Sequence, residues 1–178
     1  MNDIIDSKKD KSLTDLLPTL SPPCLLILDC DHAEILKESL LSIQSQKHID
    51  QKSPFFVFFS CSSEESLRVN SEFPQNIFTC ILLTPRKSFS MITNIEIEDN
   101  NQFLDFLSLF VDSIALDSLS TEMFHLLFRC NITVTQLWRR FILAQHLMKI
   151  IGLHVQSIPD FPDVSEHQLW CQFDYAMM

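Results

Sequence analysis

Apolar residues run unbroken from Cys24 to Leu28 (CLLIL) and from Phe55 to Phe59 (FFVFF), and each run is entered through proline. Five successive apolar positions without alternation predict strands covered on both faces, as in the middle of a parallel sheet. A third run, Ile77 to Leu83 (IFTCILL), ends at Thr84-Pro85 and predicts a third strand. Between the first two runs, Ile35, Leu36, Leu40 and Ile43 form a stripe at helical spacing. Asp31, with Glu34 three residues on, reads as the capping box that opens this helix. Ser60 to Ser63 reads as a turn and Glu64 to Val69 as a short helix. Strand, helix, strand, short helix, strand is the order of an α/β layer with a partly parallel sheet.

After the acidic connection NIEIEDNN the period changes. Phe103, Phe106, Leu107, Phe110 and Ile114 share one helical face. Ser120 is placed to cap a short helix carrying Phe124, Leu127 and Phe128. In the next helix, from Thr135 to Ile151, the apolar residues Leu137, Phe141, Ala144, Met148 and Ile151 recur at steps of four and three. Arg139, Arg140, Gln145 and Lys149 fall largely off that stripe, and the two arginines read as a solvated face before a docking patch. Gly152 follows, where a helix end takes a left-handed residue. Pro159 and Pro162 mark an extended linker. Ser165 with Gln168 reads as a capping box for a last helix bearing Leu169, Trp170, Phe173 and Met177.

Three organisational units result: a polar tail over 1–20, an α/β segment over 21–99 and a helical segment over 100–178. The chain is 46% hydrophobic, so a packed core is expected. Its net charge of −10 argues against nucleic acid as a partner, because phosphate binding needs a clustered positive surface. The small basic cluster Lys8, Lys9 and Lys11 reads as part of a solvated tail. Neither a secretory leader nor an uncharged apolar run long enough to span a bilayer is visible. The six cysteines are scattered, which suits reduced thiols and a cytoplasmic location better than a disulfide scaffold. Cys24, Cys30 and His32 have no fourth ligand at zinc spacing, so no metal is expected. Gly152 is the only glycine, which excludes the glycine-rich loops that cradle phosphates and dinucleotides; no cofactor is expected.

Chemistry, if present, belongs at LDCDH, where the first strand ends. Asp29 and Asp31 with Ser60 resemble the haloacid dehalogenase phosphatases: one carboxylate would attack phosphorus and the other would protonate the leaving group. Magnesium would need further acidic ligands, for which Glu98 and Asp99 are the candidates. Cys30 offers the alternative of a cysteine peptidase with a caspase-like fold. That chemistry needs an imidazole base, and no histidine precedes Cys30. His32 is two residues away on the turn. The remaining reading is a buried cysteine packed at a strand end.

A longer likeness bears on the choice. Residues 119–162 resemble a segment of the Raptor family, the regulatory-associated proteins of the TOR kinase. Phe124, Leu127, Phe128, Arg129, Leu137, Arg139, Phe141, Leu143, Ala144 and Met148 carry it. Ile77, Phe78, Thr79, Thr84 and Pro85 match a second family segment, Asp29 and Cys30 the end of its apolar strand, and Trp170 and Asp174 a later helix. The order agrees over residues 24–178. Asp31 stands where the family has serine, the family's His-Gly segment has no counterpart, and the stretch from Thr93 to Asn101 is short. The resemblance implies a partial caspase-like sheet with flanking helices, followed by an all-helical armadillo-like segment. It implies a non-catalytic scaffold or adaptor that recruits protein substrates to the TOR kinase, and it makes Cys30, with Asp29 before it, a vestigial nucleophile position. None of the family's substrate-docking residues can be placed on this chain. Without strands to cover Leu25 to Leu28, the chain is expected to self-associate.

Overall fold

The computed structural model describes residues 24–46, 55–67, 73–98 and 100–177. The 1–20 tail, the Lys8–Lys9–Lys11 cluster, the end of the helix expected over 64–69, and Asp99 lie outside the described residues. The fold is mixed α/β: a three-stranded sheet packed among helices. β1 (Cys24–Leu28) is followed by a 3-10 turn (Ala33–Leu36) and α1 (Lys37–Gln46), then β2 (Phe55–Phe59). β1 and β2 are parallel, with Cys24 beside Phe55 and Leu28 beside Phe59. Parallel neighbours need a crossover, and α1 supplies it.

Ile77 to Leu83 forms a helix, α2, not the expected strand. Six apolar residues interrupted only by Thr79 carry no clear period, so either structure fits the pattern. Local bonds close its first turn: Ile77 N–H donates to Pro74 O (3.0 Å) and Cys80 N–H to Asn76 O (3.0 Å). Pro85 then occupies the first turn of α3 (Pro85–Thr93), where its missing N–H costs nothing. The acidic connection after α3 forms no strand. The third strand instead comes from the stretch read as a linker: β3 (Gln156–Ile158) pairs antiparallel with β2. β2 is therefore the central strand. β1, expected in the middle of the sheet, is an edge among the described residues, with Leu25, Leu26 and Ile27 half-buried.

The helical segment comprises α4 (Asn100–Ser118), α5 (Thr121–Phe128), α6 (Ile132–Ile150) and α7 (Leu169–Met177). On α4 the expected face is inward: Phe103, Leu107 and Ile114 are buried, and Phe106 and Phe110 pack against the core. Ser120 Oγ accepts from Met123 N–H and caps α5. α6 starts three residues before the expected Thr135, because Asn131 Oδ1 accepts from Thr133 and Val134 N–H. It ends at Gly152, whose φ of 82° is the left-handed conformation that glycine permits. α7 does not use the expected Ser165–Gln168 box. Its first N–H groups go to His167: Leu169 N–H to Nδ1 (3.2 Å) and Trp170 N–H to the carbonyl (2.9 Å).

α6 is the axis of the molecule. It packs against α2, α3, α4 and α5, and lays Trp138 and Phe141 across the sheet. Phe58 stacks on Phe141 with centroids 4.5 Å apart, and Trp138 meets Phe56 and Phe58 edge-on. The expected stripe is thus only part of what α6 buries. Phe141, Ala144 and Met148 are inside, but so are Trp138, Ile142, Leu143 and Leu147, while Leu137 and Ile151 are half-buried. From Phe141 to Met148 only His146 is not buried, because other elements enclose this stretch of the helix. Nor are its arginines a solvated face. Arg139 makes a bidentate pair with Asp112 of α4 (2.8 and 2.7 Å), and Arg140 donates to Leu82 O at the end of α2 (2.8 Å). One apolar core runs from Leu28 to Phe173, through both the 21–99 and the 100–178 segments.

Candidate functional site

The parallel register brings the carboxyl ends of β1 and β2 side by side, and both chains then turn. Ser60 N–H donates to Leu28 O (3.0 Å), extending the ladder one step. Ser60 Oγ accepts from Cys30 N–H (3.2 Å) and donates to Cys30 O (3.0 Å). The serine that would stand in a dehalogenase-type site is thus spent on fixing the Cys30 backbone. The Cys61 thiol, fully buried, lies 3.3 Å from Cys30 O and 3.5 Å from Glu65 O.

The two aspartates diverge. Asp29 Oδ2 accepts from both N–H (2.9 Å) and Oγ1–H of Thr79, the third residue of α2. It therefore acts as a cap supplied from another element, with its negative charge at the positive end of that helix. Asp31 Oδ1 accepts from Leu67 N–H (2.7 Å) and Ser66 Oγ (2.9 Å), so it holds the 66–67 turn, and the position expected of it as cap of the 3-10 helix falls to His32. His32, with φ 55°, occupies the cap position of that turn of helix and gives it no side-chain bond. Glu34 reaches Ser63 N–H (3.2 Å) in place of closing a capping box. The carboxylates that phosphoryl transfer would need on one phosphorus are engaged with separate partners.

Cys30 is exposed and not the buried cysteine expected at the strand end; partial desolvation of its thiol still pushes it above its ordinary range, and nearby Cys61, Asp29 and Asp31 push it further the same way. A thiol so placed stays protonated at neutral pH and is a weak nucleophile. His32, the imidazole nearest in sequence, turns Nδ1 to Ser63 O (3.0 Å). Glu98, a candidate magnesium ligand, serves through its carbonyl, which accepts from Arg86 (3.3 Å). Among the described residues no cluster of three or more His, Cys, Asp or Glu side chains could hold a metal ion.

One contact at this corner had no signal in the sequence. Glu65 Oε1 bonds His154 Nδ1, and Oε2 accepts from His154 N–H (2.9 Å) and Ser62 N–H (3.0 Å). Lys149 Nζ meets the other ring nitrogen of His154 at 3.0 Å. The partners are 89 residues apart, and they fasten the turn after β2 to the loop after α6.

Fold and site together define a mixed α/β protein in which a strand-end turn of the kind that carries nucleophiles is wired into the scaffold. Comparison with known proteins adds a likeness. No family model matches the chain. It is 25% identical, over an alignment 203 positions long, to the target of rapamycin complex 1 subunit mip1 of Schizosaccharomyces pombe, covering 93% of this chain and 16% of that protein. It is 28% identical, over an alignment 226 positions long, to subunit KOG1 of the same complex in Saccharomyces cerevisiae, covering 93% and 14%. It is 25% identical, over an alignment 189 positions long, to the regulatory-associated protein of TOR 2 of Oryza sativa, covering 92% and 14%. The crystal structure of Chaetomium thermophilum Raptor superposes with a TM-score of 0.80 at 27% identity, over 94% of this chain and 17% of that one. The chain is thus similar to Raptor in sequence and fold over most of its own length, and spans about one-sixth of the length of the proteins it matches. Among the described residues no helix is long and apolar enough to cross a membrane.

Proposed function

We propose that the chain is a non-catalytic scaffold or adaptor of a TOR kinase complex, acting in the cytoplasm and recruiting protein substrates. The observation that carries this reading is the likeness, over 92–93% of the chain, to proteins named as subunits of target of rapamycin complex 1 or as regulatory-associated proteins of TOR. The site geometry supports it. Asp29, Asp31 and Ser60 are occupied in holding α2 and the neighbouring turns, and Cys30 is kept protonated. In this reading Cys30 and Asp29 are the vestige of a caspase-like active-site turn. The segments 21–99 and 100–178 correspond to part of a caspase-like domain and the start of an armadillo-type array, packed here on a shared core.

Affinity purification of the tagged chain from cells containing a TOR kinase tests the proposal. The kinase is expected to be retained on the wild-type chain. If it is absent while a full-length relative retains it under the same conditions, this chain lacks the kinase-binding role.

A further inference from the structure

Two of the cysteines are brought together by the sheet register. Leu28 pairs with Phe59, where the ladder ends, and Cys30 and Cys61 each follow two residues later on the adjoining turns. The chains do not separate past the strand ends, because Ser60 bonds both the N–H and the carbonyl of Cys30. The Cys61 thiol lies 3.3 Å from the Cys30 carbonyl oxygen. Adjacent strands are about 4.8 Å apart, within the Cα separations that a disulfide bridges. Exposure divides the pair: Cys30 is open to solvent and Cys61 is fully buried.

We propose that Cys30 and Cys61 form a redox-modification site, in which Cys30 meets the oxidant and Cys61 resolves it into an intramolecular disulfide. With hydrogen peroxide as the oxidant, the minor ionised fraction of Cys30, small at neutral pH and larger in alkali, attacks one peroxide oxygen. The O–O bond breaks, and the departing hydroxide takes up the thiol proton as water, leaving a sulfenic acid at Cys30. The Cys61 sulfur then attacks the Cys30 sulfur and the S–O bond breaks. The leaving hydroxide accepts the Cys61 proton, giving a second water. Overall, two thiols are oxidised to one disulfide and one peroxide is reduced to two waters. Because the exposed Cys30 thiol is raised by partial desolvation and by Cys61, Asp29 and Asp31, the first step quickens as pH rises. The reaction separates this pair from the other exposed cysteines. Cys130, in the turn between α5 and α6, and Cys171, on α7, present free thiols, and neither lies at a sheet strand end beside another cysteine.

The test uses the full chain, reduced, exposed to hydrogen peroxide and then blocked with N-ethylmaleimide under denaturing conditions. Trypsin alone leaves Cys24 and Cys30 on one peptide, so a second cut at aspartate is needed before mass spectrometry. The expected product is a Cys30–Cys61 cross-linked peptide, two hydrogens lighter than the reduced pair, formed faster at alkaline pH and unaffected by Cys24→Ser. Cys30→Ser is expected to leave Cys61 fully alkylated. This variant changes an exposed side chain, so it avoids the folding risk of altering the buried Cys61. Cross-links between two molecules, a Cys24 partner, or oxidised Cys30 accompanied by fully alkylated Cys61 would each overturn the proposal.

Discussion

Glu65 shows how one side chain can bind distant segments together. Burial by itself raises its carboxyl, but bonds from the His154 ring, from Ser62 and from the His154 backbone outweigh that and hold it below the ordinary carboxylate range. A depressed folded-state value means that stability from this contact is present above the unfolded value of about 4.3 and is lost as pH falls through the lower folded value. Glu65→Gln is therefore expected to lower the thermal midpoint near neutral pH. The difference from wild type should shrink as pH is taken below about 4, where the wild-type carboxyl protonates as well. Melting curves of both proteins across that range provide the check. A gap that stays constant into acid would mean that the carboxylate charge contributes nothing to the contact.

Among the elements, α6 bears the most. Phe141 is fully buried, stacked on Phe58 of the central strand and edge-on to Trp138 and Phe161. Removing it empties the space between helix and sheet, where no single neighbour can collapse inward. Phe141→Ala is expected to cost about 3–5 kcal/mol, read as a shift of the urea midpoint. Leu137→Ala, at a half-buried position on the same helix, should cost clearly less. Equal effects would contradict this account of the packing. α6 is also pinned sideways, by Arg139 to Asp112 and by Arg140 to the end of α2, so two of its charged residues set its place between neighbours.

For the molecule as a whole, the open side of the sheet matters most. β1 pairs only with β2 among the described residues, and its five residues include no charge, proline or bulge. Those are the devices that discourage edge-to-edge pairing. A second copy can add to such an edge antiparallel across a two-fold axis, joining two three-stranded sheets. Sedimentation at micromolar concentration should therefore show self-association that weakens on dilution. A single sharp monomer with cooperative unfolding would mean that the edge is closed within the chain.

Local pattern sufficed wherever one short stretch held all the needed information. The bounds of β1 and β2, the inward face of α4, the Ser120 cap and the helix stop at Gly152 all follow from neighbouring residues, because strand runs, caps and left-handed glycines are decided over a few positions. That Asp29, Cys30 and Asp31 stand at a strand end was legible for the same reason. Ile77 to Leu83 was not, since a short run that is almost wholly apolar, even at the exposed Leu83, lacks the polar positions that would mark a helical or a strand period. Its helix is favoured by Asp29, 50 residues away, which takes the N–H and hydroxyl of Thr79. β3 was hidden too: three residues before a proline gain strand geometry only because β2 is there to pair with them. The sequence alone placed the groups that could do chemistry. Only the tertiary structure set their tasks, because a carboxylate or hydroxyl is committed by whichever donors and acceptors the fold brings within hydrogen-bonding reach.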